Sequence, residues 1–258
     1  MAVGVDPHLY KASEGDVSRM NEANIIFYSG LHLEGKMTEV FEQMSQRGIP
    51  VWAVTKSFDE SWLLSGDDSG GTHDPHVWFN VSLWAEASKM VEQALTELDP
   101  KGKAIYRANG EAYRSVLMKL HEEIKLEVAA IPPGQRVLVT AHDAFNYFGH
   151  AYGIEVRGVQ GMATTAEAGT SDIQTLAKFI AQRKIPALFV ESSVPPQVIQ
   201  AVKGAVNARG WNVVIGGELY SDAMGPSGSG ADTYIGMVQA NVRTIVDALS
   251  ATQPNETH

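Results

Sequence analysis

Between Gln135 and Ser250, short β-branched runs alternate with stretches of helical periodicity, and this alternation restricts the fold more than any other feature. QRVLVTAHD, GIEVRGV, ALFVESS and WNVVIGG read as strands. AFNYFGHAYG, SDIQTLAKFIAQRKIP, PPQVIQAVKGAVNARG and TYIGMVQANVRTIVDALS read as the helices that follow them. The second of these helices has an N-cap candidate in Ser171 and apolar residues at Ile173, Leu176, Ala177, Ile180 and Ala181. The third opens on prolines suited to a first turn and closes on a glycine. Such alternation predicts an α/β fold, a parallel sheet with helices on both faces.

The N-terminal part carries the same pattern with fewer strands. ANIIFYSG and IPVWAVT are strands around the amphipathic GKMTEVFEQMSQRG, and NVSLWAEASKMVEQALTEL is a longer helix after them. A third region, KGKAIYRANGEAYRSVLMKLHEEIKLEVAAI, keeps an apolar stripe at Tyr113, Val116, Leu117, Leu120, Ile124, Val128 and Ile131. As one helix it would be roughly 45 Å long, a rigid spine ending at Pro132-Pro133. The expected organisation is an N-terminal α/β lobe over residues 1–100, a linking spine helix over 101–131, and a C-terminal α/β lobe over 132–258. Two low-complexity stretches, GDDSGGTHDP (66–75) and GPSGSGAD (225–232), read as loops.

Composition narrows the function. The formal net charge is −10 and no run of Lys or Arg occurs, which argues against nucleic acid and anionic membranes and mildly favours a cation ligand. With no cysteine, disulfides, thiolate metal sites and thiol nucleophiles are excluded. No stretch approaches eighteen apolar residues, so no membrane insertion is expected. MAVGVDP has neither a charged n-region nor an apolar h-region, which leaves the compartment open.

Two of the eight histidines, His8 and His76, share an Asp-Pro-His frame. His142 directly follows the strand RVLVTA, and Asp222 follows WNVVIGG within ELYSDAMG. Positions past the carboxyl ends of parallel strands are where open α/β sheets place their ligands. Three neutral imidazoles and a carboxylate suit Zn²⁺ and are acceptable for Mn²⁺ or Fe²⁺. Each proline fixes φ one residue before its histidine, lowering the entropy lost on holding the ring. Taken singly, each residue also fits a plainer role: Asp-Pro starts many turns, and a strand-end histidine is often a surface group. The set of four carries the argument.

In order and over nearly the whole chain, GVDPHLY with SEGDVSRMNEANIIFYSGLHLEG, DPHVWFN, TAHDAFNYFGHAYGI, FVESS and GGELYSDAMG resemble the metal-binding solute receptors of ABC transporters. The family is the zinc and manganese receptors of TroA-like and ZnuA-like type. The resemblance implies metal ligation by His8, His76, His142 and Asp222, in two α/β lobes joined by a long helix with the ion buried between them. It implies capture of zinc, with manganese as the alternative, and delivery to an ABC permease from the periplasm or the outer face of the cytoplasmic membrane. Manganese-selective members tend to carry glutamate where this chain has His142, and imidazole is the softer donor; Asp222, a hard oxygen ligand, pulls the other way.

Family members place a strand, a helix and a strand before the first Asp-Pro-His, which here begins at residue 6. The resemblance therefore implies an N-terminally shortened lobe with unpaired strand edges, a route to oligomers or swapped assembly. Glu191, ending ALFVE, is a candidate outer partner that accepts the spare N–H of a ligand imidazole, or is satisfied by loop amides. His73 reads as a weak capture ligand or a solvated loop histidine. Trp78 and Phe79 are expected beneath the site, and Trp84 in the core.

An enzyme is not expected. A metal-dependent hydrolase needs an open coordination position and a base. HExxH and GxSxG are absent, and Asp143 and Glu191 are the only evident bases. An adhesin-like protein with a structural metal is the other alternative; it should unfold when the metal is removed.

Overall fold

The computed structural model describes residues 3–66, 73–164 and 168–251. It divides into two compact units, one of Pro7–His121 and one of Met1–Asp6 with Glu122–His258. One boundary thus falls inside the first Asp-Pro-His motif, between Asp6 and Pro7.

In the first unit, α1 (Glu14–Asn21) starts at a capping box: Ser13 Oγ accepts the Asp16 N–H and the Asp16 carboxylate accepts the Ser13 N–H. Strands β1 (Ile26–Tyr28) and β2 (Val51–Ala53) pair in parallel, Phe27 opposite Trp52, with α2 (Thr38–Gln46) as the connection. Helix α3 (Val81–Leu98) is capped by Asn80, whose side chain accepts the Ser82 N–H at 3.1 Å. Its buried Leu83, Ala87, Met90 and Ala94 recur at spacings of four and three, one helical face. Trp84, expected in the core, is half-buried because it lies beside that face.

Helix α4 (Lys103–Ala129) runs unbroken for 27 residues, about 40 Å at 1.5 Å per residue. The second unit boundary, between His121 and Glu122, falls within it. Leu117, Leu120, Ile124 and Val128 form its buried stripe, and Ile131, just past its end, is also buried. Val116 departs from the expected stripe and is 51% exposed, since a residue adjacent to Leu117 is rotated about 100° off the buried face.

The second unit has the alternating order that the sequence predicts. Elements β3 (Val137–His142), α5 (Asn146–Tyr152), β4 (Glu155–Gln160), α6 (Thr170–Arg183), β5 (Ala187–Glu191), α7 (Gln197–Asn207), β6 (Val214–Leu219) and α8 (Tyr234–Ser250) follow in turn. β3 pairs in parallel with β4, and β5 with β6; β3 and β5 are in contact. All six residues of β3 are buried, its apolar Val137, Leu138, Val139 and Ala141 together with the polar Thr140 and His142, as expected of a strand covered on both faces. Its Val137, Val139 and Ala141 join Leu176, Ala177 and Ile180 of α6 and Ile199, Val202 and Val206 of α7 in one core.

Two helix boundaries differ in detail from the sequence reading. Helix α6 is capped at Gly169, not Ser171: Asp172, three residues on, reaches back to the Gly169 N–H at 3.0 Å and draws the helix start forward. Helix α7 has Ala208 as its C-cap, and Gly210 turns the chain with φ +82° two residues later. The 225–232 loop closes through a Gly225 N–H bond to the Ala231 carbonyl at 2.8 Å. Most of the 66–75 loop lies outside the described residues.

Candidate metal centre

The first unit places two imidazoles side by side. His76 is fully buried, His8 is buried, and their Nε2 atoms are 3.2 Å apart. The second Asp-Pro-His motif closes on itself: Asp74 Oδ1 accepts the His76 backbone N–H at 2.9 Å and lies 2.7 Å from its Nδ1. An aspartate bonding to a backbone N–H two residues on is a common turn device; here it also grips the ring. A carboxylate at Nδ1 assigns the hydrogen there and leaves Nε2 with its lone pair. The buried Trp78 ring meets the His76 ring edge-on, with centroids 5.2 Å apart, and Phe79 is buried beside Trp78. His73 lies elsewhere in the chain's contacts, with its Nε2 2.8 Å from Glu60 Oε1. Asp6, the aspartate of the first motif, accepts a hydrogen bond from the Thr164 hydroxyl in the second unit.

The second unit brings together His142, Glu191 and Asp222. His142 ends β3, and Glu191 ends β5, the strand in contact with it. Glu191 Oε1 accepts the His142 N–H at 2.8 Å, and Oε2 lies 2.6 Å from His142 Nδ1. On the other side of the ring, Nε2 is 3.4 Å from Asp222 Oδ2. Burial disfavours the imidazolium, but the charges of Glu191 and Asp222 outweigh it and hold the His142 pKa well above the ordinary histidine value. The turn after His142 fits only because residue 158 is glycine: a Cβ there would stand 2.6 Å from the Asp143 nitrogen.

Asp222 lies in the loop after β6, which is pinned from below. Asn241 of α8, buried, accepts the Tyr220 N–H at 2.9 Å and donates to the Tyr220 carbonyl at 2.7 Å. The Ser193 hydroxyl donates to Asp222 Oδ2 at 3.1 Å and is 2.7 Å from the Ser221 hydroxyl. Asp74, Ser193, Ser221 and Asn241 were not singled out by the sequence reading. Asp74 had a signal, its place two residues before a candidate ligand; a lone Asn within a helix had none.

Each pair offers what a small cation needs: buried imidazole nitrogens, and in the second unit a carboxylate oxygen. Comparison with known proteins agrees with this chemistry. Residues 1–248 match the family described as ZnuA, zinc-uptake complex component A, periplasmic. The zinc-binding protein TroA of Treponema pallidum is 48% identical over 250 residues, covering 97% of this chain and 80% of TroA. The manganese-binding lipoprotein MntA of Bacillus subtilis is 43% identical over 249 residues, covering 96% of this chain and 81% of MntA. The solved structure of the periplasmic zinc binding protein TroA from Treponema pallidum shares the α/β fold, with a TM-score of 0.93 over 97% of this chain and 90% of that one. These relatives are metal-binding transport receptors, which sets the hydrolase reading aside. The chain belongs to the ZnuA family of metal-binding receptors of ABC transporters.

Proposed function

We propose that this protein is an extracytoplasmic solute-binding protein that captures one divalent transition-metal ion and hands it to an ABC permease. Its ligands in this reading are His8 and His76 from the first unit and His142 and Asp222 from the second. Glu191 orients His142 by accepting from its Nδ1. The observation that carries the reading is the second pair. With Nδ1 turned to Glu191 at 2.6 Å, the His142 Nε2 lone pair faces an Asp222 oxygen at 3.4 Å, an arrangement that needs positive charge between the two atoms. A proton supplies that charge in the metal-free protein; a divalent cation supplies more.

Zinc is the first cargo, because three imidazoles and one carboxylate satisfy its preferred four-coordinate set. Manganese is the second, favoured by the hard oxygen of Asp222 and by relatives named for that metal. Release follows a conformational change at the permease or protonation of the imidazoles. The protein works in the periplasm or at the outer face of the cytoplasmic membrane, as lipoprotein relatives do. No helix among the described residues is long and apolar enough to cross a membrane. Self-association through the edges of the two-stranded β1–β2 sheet is part of the proposal, read out by sedimentation.

Calorimetric titration with zinc and with manganese tests the reading. The wild-type chain should bind one ion, and His142→Ala should lose most of the affinity. Unchanged affinity in that variant overturns the assignment. Chelation should leave a folded protein that rebinds, whereas unfolding on metal removal would indicate a structural metal.

A further inference from the structure

One short turn in the second unit grips both of its donors. Glu191 closes β5 and holds His142 through two contacts; Ser193, two residues on, holds Asp222. The turn itself is fixed by a bridge between Glu191 and Val194 and by the Ser192 N–H bond to the Leu219 carbonyl at 3.0 Å, at the end of β6. Ser193 therefore sits opposite the loop that carries Asp222. Its hydroxyl is 2.7 Å from that of Ser221, which is almost fully buried.

We propose that Ser193, steadied by Ser221, is a positioning residue that holds the Asp222 carboxylate in its ligating orientation and thereby sets how well the protein tolerates manganese relative to zinc. This rests on the reading that His8, His76, His142 and Asp222 ligate one cation. The Asp222 side chain is buried, yet a carboxylate still turns about its Cα–Cβ and Cβ–Cγ bonds unless a partner fixes it; the Ser193 hydroxyl bond to Oδ2 restricts both. The two metals depend on that restriction unequally. Three imidazoles hold zinc in many proteins, with the fourth position left to a weaker ligand. Manganese draws its preference from hard oxygen donors, and Asp222 is the single one in the set. An Asp222 freed to wander costs manganese more than zinc.

The test is Ser193→Ala, with Ser193→Thr as the variant that restores a hydroxyl and Asp222→Ala as the control for the ligand assignment. Calorimetry with each metal alone should show manganese affinity falling about tenfold in Ser193→Ala, within the usual range for outer partners of metal ligands, and zinc affinity falling less than threefold. Ser193→Thr should return both towards wild type. Cobalt-loaded Ser193→Ala should show altered intensity of its visible bands, which follow ligand geometry and not overall stability. Equal losses for both metals, or an unchanged cobalt spectrum, would overturn the positioning role while leaving the site intact. If Asp222→Ala binds both metals as the wild type does, the ligand assignment itself fails.

Discussion

The two donor pairs are built in opposite ways. His8 and His76 form an imidazole pair whose orienting group, Asp74, comes from the same tripeptide as His76. His142 and Asp222 form an imidazole–carboxylate pair whose orienting groups, Glu191 and Ser193, lie 49 and 29 residues along the chain from the donors they hold. The first device is local and needs little beyond a proline and a turn. The second exists only because β3 lies against β5 and the β6 loop returns over the β5 turn. The lesson is that one type of chemistry, a carboxylate at Nδ1 of a buried histidine, is reached by a turn in one unit and by sheet assembly in the other.

The sharpest way to break the comparison is to remove one donor from each side. If both pairs serve one cation, His76→Ala and His142→Ala should each cut zinc affinity about 100-fold or more, beyond the range for outer partners, with one zinc per wild-type chain by calorimetry. Two zinc ions per chain, or either variant at full affinity, would mean that the pairs act separately. Next in size are the orienting groups. Asp74→Asn and Glu191→Gln should each cost about 10–100-fold in zinc affinity while the chain stays folded by circular dichroism.

A pH series separates the two sides further. The His142 pKa is raised, so the ion-paired imidazolium is fully present below the ordinary value of 6.5 and is lost as pH rises through the raised value. Its contribution to the stability of the metal-free protein falls over the same interval. Zinc must displace that proton, so affinity should climb with pH through this range, and titrations in buffers of different ionisation enthalpy should report proton release at neutral pH. Glu191→Gln should shrink that release. The smallest effect expected is Gly158→Ala, where a new Cβ would crowd the Asp143 nitrogen. Overpacking of this kind costs about 1–3 kcal/mol. It should lower Tm and shift the His142 ring resonances, leaving those of His76, on their self-contained loop, in place.

Much of this was legible in the sequence. The strands and helices of residues 135–250 were recoverable because the strands are short runs rich in β-branched residues and the helices between them carry a 3.6-residue stripe. The α4 stripe was legible for the same reason, and Val116 misled because one apolar residue too many lay next to it. Ser171 misled because it is a good cap one turn position from where Asp172 does the capping. Within the candidate site, His8 and His76 stood out by their shared Asp-Pro-His frame, and His142 and Asp222 by residue type and their place after strands. Asp74 could have been read from its motif, whereas Ser193 and Asn241 sit in ordinary polar surroundings and gain their roles from what the fold brings opposite them.

By itself, the sequence determined the α/β class, the long helix and the identity of the candidate donors, because periodicity and donor chemistry are properties of residues and their near neighbours. Only the tertiary structure decided which carboxylate serves which imidazole in the second unit and which hydroxyl holds Asp222. Those pairings are set by strand order and loop packing between segments far apart in the chain, and hydrogen bonds act only over about 3 Å.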